Sequence, residues 1–141
     1  MKELKEIIQE KLNRTKSSLM LEKLKINSKS KINQYNYHPK STTELRKILL
    51  DLLEKRGENA DLNDIDTSKI TFMDSLFSDS YFNGNISGWD VSNVEDMDFM
   101  FYNSDFNGDI SNWDVSKVKH MRDMFLKSPL EKNPPKWYKK S

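Results

Sequence analysis

An α+β solenoid is the fold class this 141-residue sequence predicts: about three stacked 24-residue units, each a short strand and a helical turn, under a helical N-terminal cap. Trp89 recurs as Trp113, Val91 as Val115, Val94 as Val118, Met97 as Met121, Met100 as Met124 and Phe101 as Phe125, each 24 residues on. A fixed period of this size marks a repeat array, in which one unit cannot bury its apolar face and stacking supplies the core. A cleanly capped amphipathic segment stands directly before the first unit, where an open end needs a lid.

Residues 1–40 read as an N-terminal helix and an irregular arm. Leu4, Ile7, Ile8, Leu12 and Leu19 fall near one face of a helix over 2–25, with charged residues elsewhere. Residues 28–40 lose that periodicity and end in His38-Pro39-Lys40. Residues 41–57 read as the capping helix. Ser41 and Glu44 form a capping box, Leu45, Ile48, Leu49, Leu52 and Leu53 form a stripe, Lys55 and Arg56 suit the last turn, and Gly57 suits the position beyond it. The repeats follow over 58–130, in units of roughly 61–84, 85–108 and 109–130. In the middle unit the strand is placed at Ile86–Val91, the helical turn at Val94–Phe101 and the closing turn at Asn107-Gly108. Residues 131–141 form a basic tail.

Charge is strongly segregated along the chain. Residues 1–57 hold 14 Lys/Arg and 7 Asp/Glu, a net of +7. Residues 58–114 hold 1 and 13, a net of −12, and residues 115–141 hold 8 and 2, a net of +6. An acidic repeat face steers toward basic partners and repels nucleic acid. The chain has no cysteine, which removes disulfides, thiolate metal sites, a cysteine nucleophile and a lipid-bearing cysteine. The charged start lacks a signal-peptide apolar run, and no stretch is long enough to span a bilayer, so a cytoplasmic location is expected.

No catalytic or cofactor chemistry is expected. The run from Asp61 to Ser68 resembles a calcium loop, but Ile65 and Asp66 occupy positions that need an oxygen ligand and a glycine. Asp66, Asp90 and Asp114 recur once per unit, so they read as turn formers rather than as an acid–base pair. His38 and His120 stand in unrelated contexts, and no phosphate-loop, nucleophile-elbow or zinc-helix motif is present. The repeat-obeying methionines read as core. The aromatics that break the repeat are better binding candidates. Phe99 aligns with Ser75 and Asp123, Tyr102 with Ser78 and Leu126, and Phe72 with Asp96 and His120. With Glu95, Asp96, Asp98 and Asp105 they make the expected partner-binding set.

The run Phe82-Asn83-Gly84-Asn85-Ile86-Ser87-Gly88-Trp89-Asp90-Val91-Ser92, continued by Val94, Met97, Met100 and Phe101 and repeated from Phe106 to Phe125, resembles the BspA-like, DUF285 class of leucine-rich-repeat proteins. The resemblance covers about residues 40–128. It implies a leucine-rich-repeat-like solenoid that binds other macromolecules. Many such proteins sit on cell surfaces, and short leaderless members occur on phage and other mobile elements. Resemblance and charge together suggest a non-enzymatic module that occludes or scaffolds a basic protein or ribonucleoprotein surface. The specific expectation is an anti-CRISPR-like inhibitor of a nucleic-acid-handling defence complex, with residues 2–25 adding a contact or a homodimer seam. Reversing Glu95, Asp96, Asp98 and Asp105 to Lys is expected to abolish binding and spare the fold. Two other readings stand beside it: a surface-adhesion fragment without its export signal, and a nucleic-acid binder acting through the basic ends, whose tail interleaves Trp137 and Tyr138 with lysines.

Overall fold

The computed structural model describes residues 35–140. The expected helix over 2–25, its dimer seam and the first part of the arm lie outside the described residues. Helix α1 runs Thr42–Arg56. Ser41 is extended and its Oγ accepts from Glu44 N–H at 3.2 Å. The Glu44 carboxylate reaches one residue further back than a capping box requires and accepts from Lys40 N–H at 2.7 Å. Gly57, at φ 89°, ends the helix with its N–H on the Leu53 carbonyl. Leu45, Leu49 and Leu52 are buried, so the stripe faces the first unit.

The α+β solenoid of strand-plus-helical-turn units does not form. Among the described residues there is one α-helix, one 3-10 turn at Pro129–Glu131, and no sheet. Extended pairing shrinks to isolated parallel bridges, Tyr37 to Ile65, Asp61 to Asn85, and Phe72 to Asp96 to His120. The cause lies in the turn chemistry. The stretch expected as a strand from Ile86 to Val91 closes on itself, with Trp89 N–H on the Ile86 carbonyl at 3.1 Å. Asp90 Oδ1 then accepts from Ser92 N–H at 3.0 Å, a side chain folding the backbone locally. Within the expected helical turn, Val94 N–H bonds the Val91 carbonyl, Met100 N–H the Met97 carbonyl and Tyr102 N–H the Phe99 carbonyl. These are successive three-residue closures. Phe99 and Asn103 adopt left-handed φ of 57° and 51°, which stops helical propagation.

The turn-built units nevertheless repeat in space at their sequence period. N–H groups of Met73, Ser75, Phe77 and Asp79 donate to the carbonyls of Asp96, Asp98, Met100 and Tyr102, and Met97, Phe99, Phe101 and Asn103 donate likewise to His120, Arg122, Met124 and Leu126. Ring on ring follows. Phe77, Phe101 and Phe125 stack at 5.6 and 5.8 Å with interplanar angles of 3° and 5°, and Phe82 lies over Phe106 at 5.9 Å. Indole Nε1–H groups of Trp89, Trp113 and Trp137 donate to the carbonyls of Leu62, Ile86 and Ile110, each 27 residues earlier. Trp137 thus continues the period past Phe125 and stacks on Trp113 at 6.2 Å. Tyr138 meets Phe125 edge-on at 4.9 Å. Part of the basic tail therefore forms a partial fourth unit that covers the C-terminal end of the core.

At the other end α1 substitutes for a missing unit. Thr42 Oγ1 donates to the Phe72 carbonyl and Arg46 Nη2 to the Asp74 carbonyl, both at 2.6 Å. Arg56 grips Asp64 through two bonds of 2.9 Å, and Asn36 Nδ2 donates to the same carboxylate at 2.8 Å. The bond from Arg56, with Asn36 assisting, holds the Asp64 carboxyl at about 2, against an ordinary 3.8. A depressed folded value stabilises the fold above the ordinary one and loses that contribution as pH falls toward the folded one. The stability advantage of wild type over Asp64→Asn, read by chemical denaturation, should be full near neutrality and shrink from about pH 4 to about pH 2. A gap independent of pH would contradict this.

Candidate functional site

Most of the sequence-derived binding residues fall on one column of the stack, formed by residues 71–79, 95–103 and 119–127. The ladder of Phe72, Asp96 and His120 runs along it. Phe72 is 51% exposed, although its backbone is pinned through the bond from Thr42. Phe99 and Tyr102 meet edge to face at 5.9 Å and are each partly buried. Lys127 Nζ lies 5.8 Å from the Tyr102 ring centre, a cation over an aromatic face. Asp105 stands apart. It is exposed, and its N–H donates to the Ser80 carbonyl.

The carboxylates divide into two kinds. Asp96 Oδ1 accepts from Asp98 N–H at 2.8 Å, and Asp98 Oδ1 accepts from Arg122 N–H at 2.6 Å. These two shape and join units, so a four-site reversal that includes them disturbs the fold as well as the surface. Glu95 pairs with Lys119 at 3.2 Å in an exposed contact of little energetic weight. Glu95 and Asp105 are therefore the acids whose charge can be changed with little structural cost. The recurring acids elsewhere are turn formers. Asp61, Asp66, Asp90, Asp109 and Asp114 each accept through Oδ1 from the N–H two residues on, at 2.9 to 3.0 Å. Hydrogen bonds from Ser111 and Ser116, through the hydroxyl and then the backbone, hold the Asp109 and Asp114 carboxyls below their ordinary value. Among the described residues, no group of three or more His, Asp or Glu side chains could hold a metal ion.

The sequence shows that Phe99 departs from its repeat, but not what its backbone does. Left-handed φ recurs at Ser75, Phe99 and Asp123, and again at Asp79, Asn103 and Lys127. The architecture demands the conformation, and the other two units meet the first demand with Ser and Asp. Any residue with a Cβ pays about 1–2 kcal/mol there. The middle unit thus carries an aromatic where the other two units carry Ser and Asp, beside a second aromatic, Tyr102.

The tail offers less for nucleic acid than its composition suggests. Trp137 donates its N–H to Ile110 and stacks on Trp113, while burial on Phe125 pushes the Tyr138 hydroxyl up from its ordinary value. Both aromatics that could stack on bases are engaged by the core. No helix among the described residues is long and apolar enough to cross a membrane.

Residues 44–140 match the sequence model of a family described as "Mycoplasma protein of unknown function, DUF285". The match extends beyond the 40–128 of the sequence resemblance and takes in Trp137 and Tyr138. No curated protein and no solved structure matches the chain.

Proposed function

The chain belongs to the DUF285 family, and on that premise we propose that it is a non-enzymatic protein-binding module acting by occlusion or scaffolding. The observation that carries the reading is Phe99, an aromatic kept at a left-handed backbone position and set edge-on to Tyr102. Around it the first two units are acidic, and the basic residues Lys119, Arg122 and Lys127 enter only on the third. A surface of this form suits a basic protein or ribonucleoprotein surface, with the aromatics as anchors and the carboxylates as steering charges. Occlusion of a nucleic-acid-handling complex, in the manner of an anti-CRISPR inhibitor, is the biological role this chemistry fits. The recurring carboxylates are occupied in turns, which supports binding over catalysis.

The experiment is affinity capture from nuclease-treated bacterial lysate, followed by titration of the captured partner at several salt concentrations. Glu95→Gln combined with Asp105→Asn should leave thermal stability within a degree or two, weaken binding several-fold at low salt and flatten its salt dependence. A partner held equally well by both proteins at every salt concentration would contradict the acidic-face reading.

A further inference from the structure

Among the described residues, the backbone ladder is incomplete beside α1. Each unit offers alternate carbonyls to the N–H groups of the unit before it: Phe77 and Asp79 donate to Met100 and Tyr102 at 2.8 and 2.9 Å. One period earlier the corresponding acceptors are the carbonyls of Phe72, Asp74, Leu76 and Ser78. Thr42 and Arg46 of α1 serve the first two. The carbonyls of Leu76 and Ser78 accept no hydrogen bond among the described residues. Leu76 and Ser78 both line a cleft of about 610 Å³ between α1 and the first unit.

The walls of this cleft carry their own chemistry. Leu50 and Tyr81, 73% and 71% exposed, stand on its walls, and Leu53 adds apolar surface. Glu54, Glu58 and Asp79 supply negative charge, and the one basic lining residue, Arg46, is held by its Nη2 bond to the Asp74 carbonyl, so the lining stays acidic on balance. Two acceptors two residues apart, an apolar wall and carboxylates define a complementary ligand: a peptide segment with alternate N–H groups directed at the acceptors, an apolar side chain and flanking cations. We propose that this cleft receives such a basic–apolar segment of a partner protein, which adds to the stack as one more rung and donates two N–H groups to the Leu76 and Ser78 carbonyls. The contact is separate from the Phe99–Tyr102 pair, so its failure leaves that reading untouched.

The test uses the full chain and the acetylated, amidated peptide Lys-Val-Leu-Val-Lys, followed by side-chain NMR of Leu50, Leu53, Leu76 and Tyr81. Saturable shifts at these residues are expected. Methylating the peptide amides one at a time should cut affinity at least tenfold at alternate positions and leave the intervening ones within about twofold, because only one edge of the peptide faces the carbonyls. Glu54→Lys with Glu58→Lys, both exposed, should weaken the unmodified peptide several-fold. An absence of saturable shifts, or equal sensitivity at every amide, would overturn the proposal. So would cleft shifts that track protein concentration without peptide, which would place a second copy of the chain there.

Discussion

Phe101→Ala is expected to cost about 3–5 kcal/mol, the range for deleting a fully buried phenylalanine. Phe101 is the middle ring of one column and packs sideways against the other. It stacks on Phe77 at 5.6 Å, on Phe125 at 5.8 Å and on Phe106 at 4.5 Å, and it lies 6.3 Å from Trp113. Its side chain is fully buried, and its N–H holds the Met124 carbonyl, so little can move in to fill the space. Removing it interrupts the Phe77–Phe101–Phe125 column at its middle. Domains of this size have stabilities of about 5–15 kcal/mol, so the loss takes a large share of the total. Thermal unfolding should shift down by roughly 15 °C or more. Phe72→Ala, on the exposed side of the same stack, should stay within about 0.5 kcal/mol of wild type. Similar losses for the two variants would show that the ring column does not carry the core.

Gly84→Ala is the second large effect, and it acts through backbone contact. A Cβ at Gly84 would lie 1.9 Å from the Ala60 carbonyl oxygen and 2.6 Å from Phe82 Cε1. The neighbours cannot yield cheaply. Asn83 N–H is bonded to the Glu58 carbonyl at 2.8 Å, and Asn85 N–H to the Ala60 carbonyl at 3.0 Å. This is where the chain leaving α1 docks on the turn between the first and second units, so the methyl group forces that junction apart. A cost of about 3 kcal/mol, the upper end of ordinary overpacking, is expected. Gly108, one period later, meets chiefly the ring of Phe106, and its backbone neighbour, the Gly84 oxygen, is 3.2 Å away. Gly108→Ala should therefore cost less than Gly84→Ala. Chemical denaturation of the two variants checks the order, and the reverse order would contradict the junction described here.

The sequence was most informative where one residue type has one physical use. The capping box at Ser41 and Glu44 and the glycine at position 57 located α1 within a residue of its observed ends. The 24-residue recurrence of Trp, Met and Phe anticipated the stacked rings, because identical side chains must superpose for a ladder to close. It misled on local conformation. Apolar residues at Val94, Met97 and Met100 have a helical interval of three, but successive turn closures produce the same interval. The turn-forming Asp and Asn side chains are plain in the sequence, and in the folded chain their local hydrogen bonds outweigh both strand and helix. Trp137 was legible in principle, since it lies 24 residues beyond Trp113, but the proline and lysine residues around it suggested a tail. The candidate site was half legible. Departure from the repeat singled out Phe72, Phe99 and Tyr102. The left-handed backbone at Phe99, and the use of the Asp96 and Asp98 carboxylates within the stack, depend on contacts between units that no local pattern records.

The most direct test of the binding account is Phe99→Ser, which gives the middle unit the residue that the first unit has at Ser75. Serine also carries a Cβ, so the left-handed strain remains, and the edge contact with Tyr102, about 0.5–1.5 kcal/mol, is lost. The melting temperature should therefore fall by roughly 10 °C or less, leaving the protein folded, while affinity for the captured partner falls at least tenfold. Unchanged affinity in the folded variant would contradict the account.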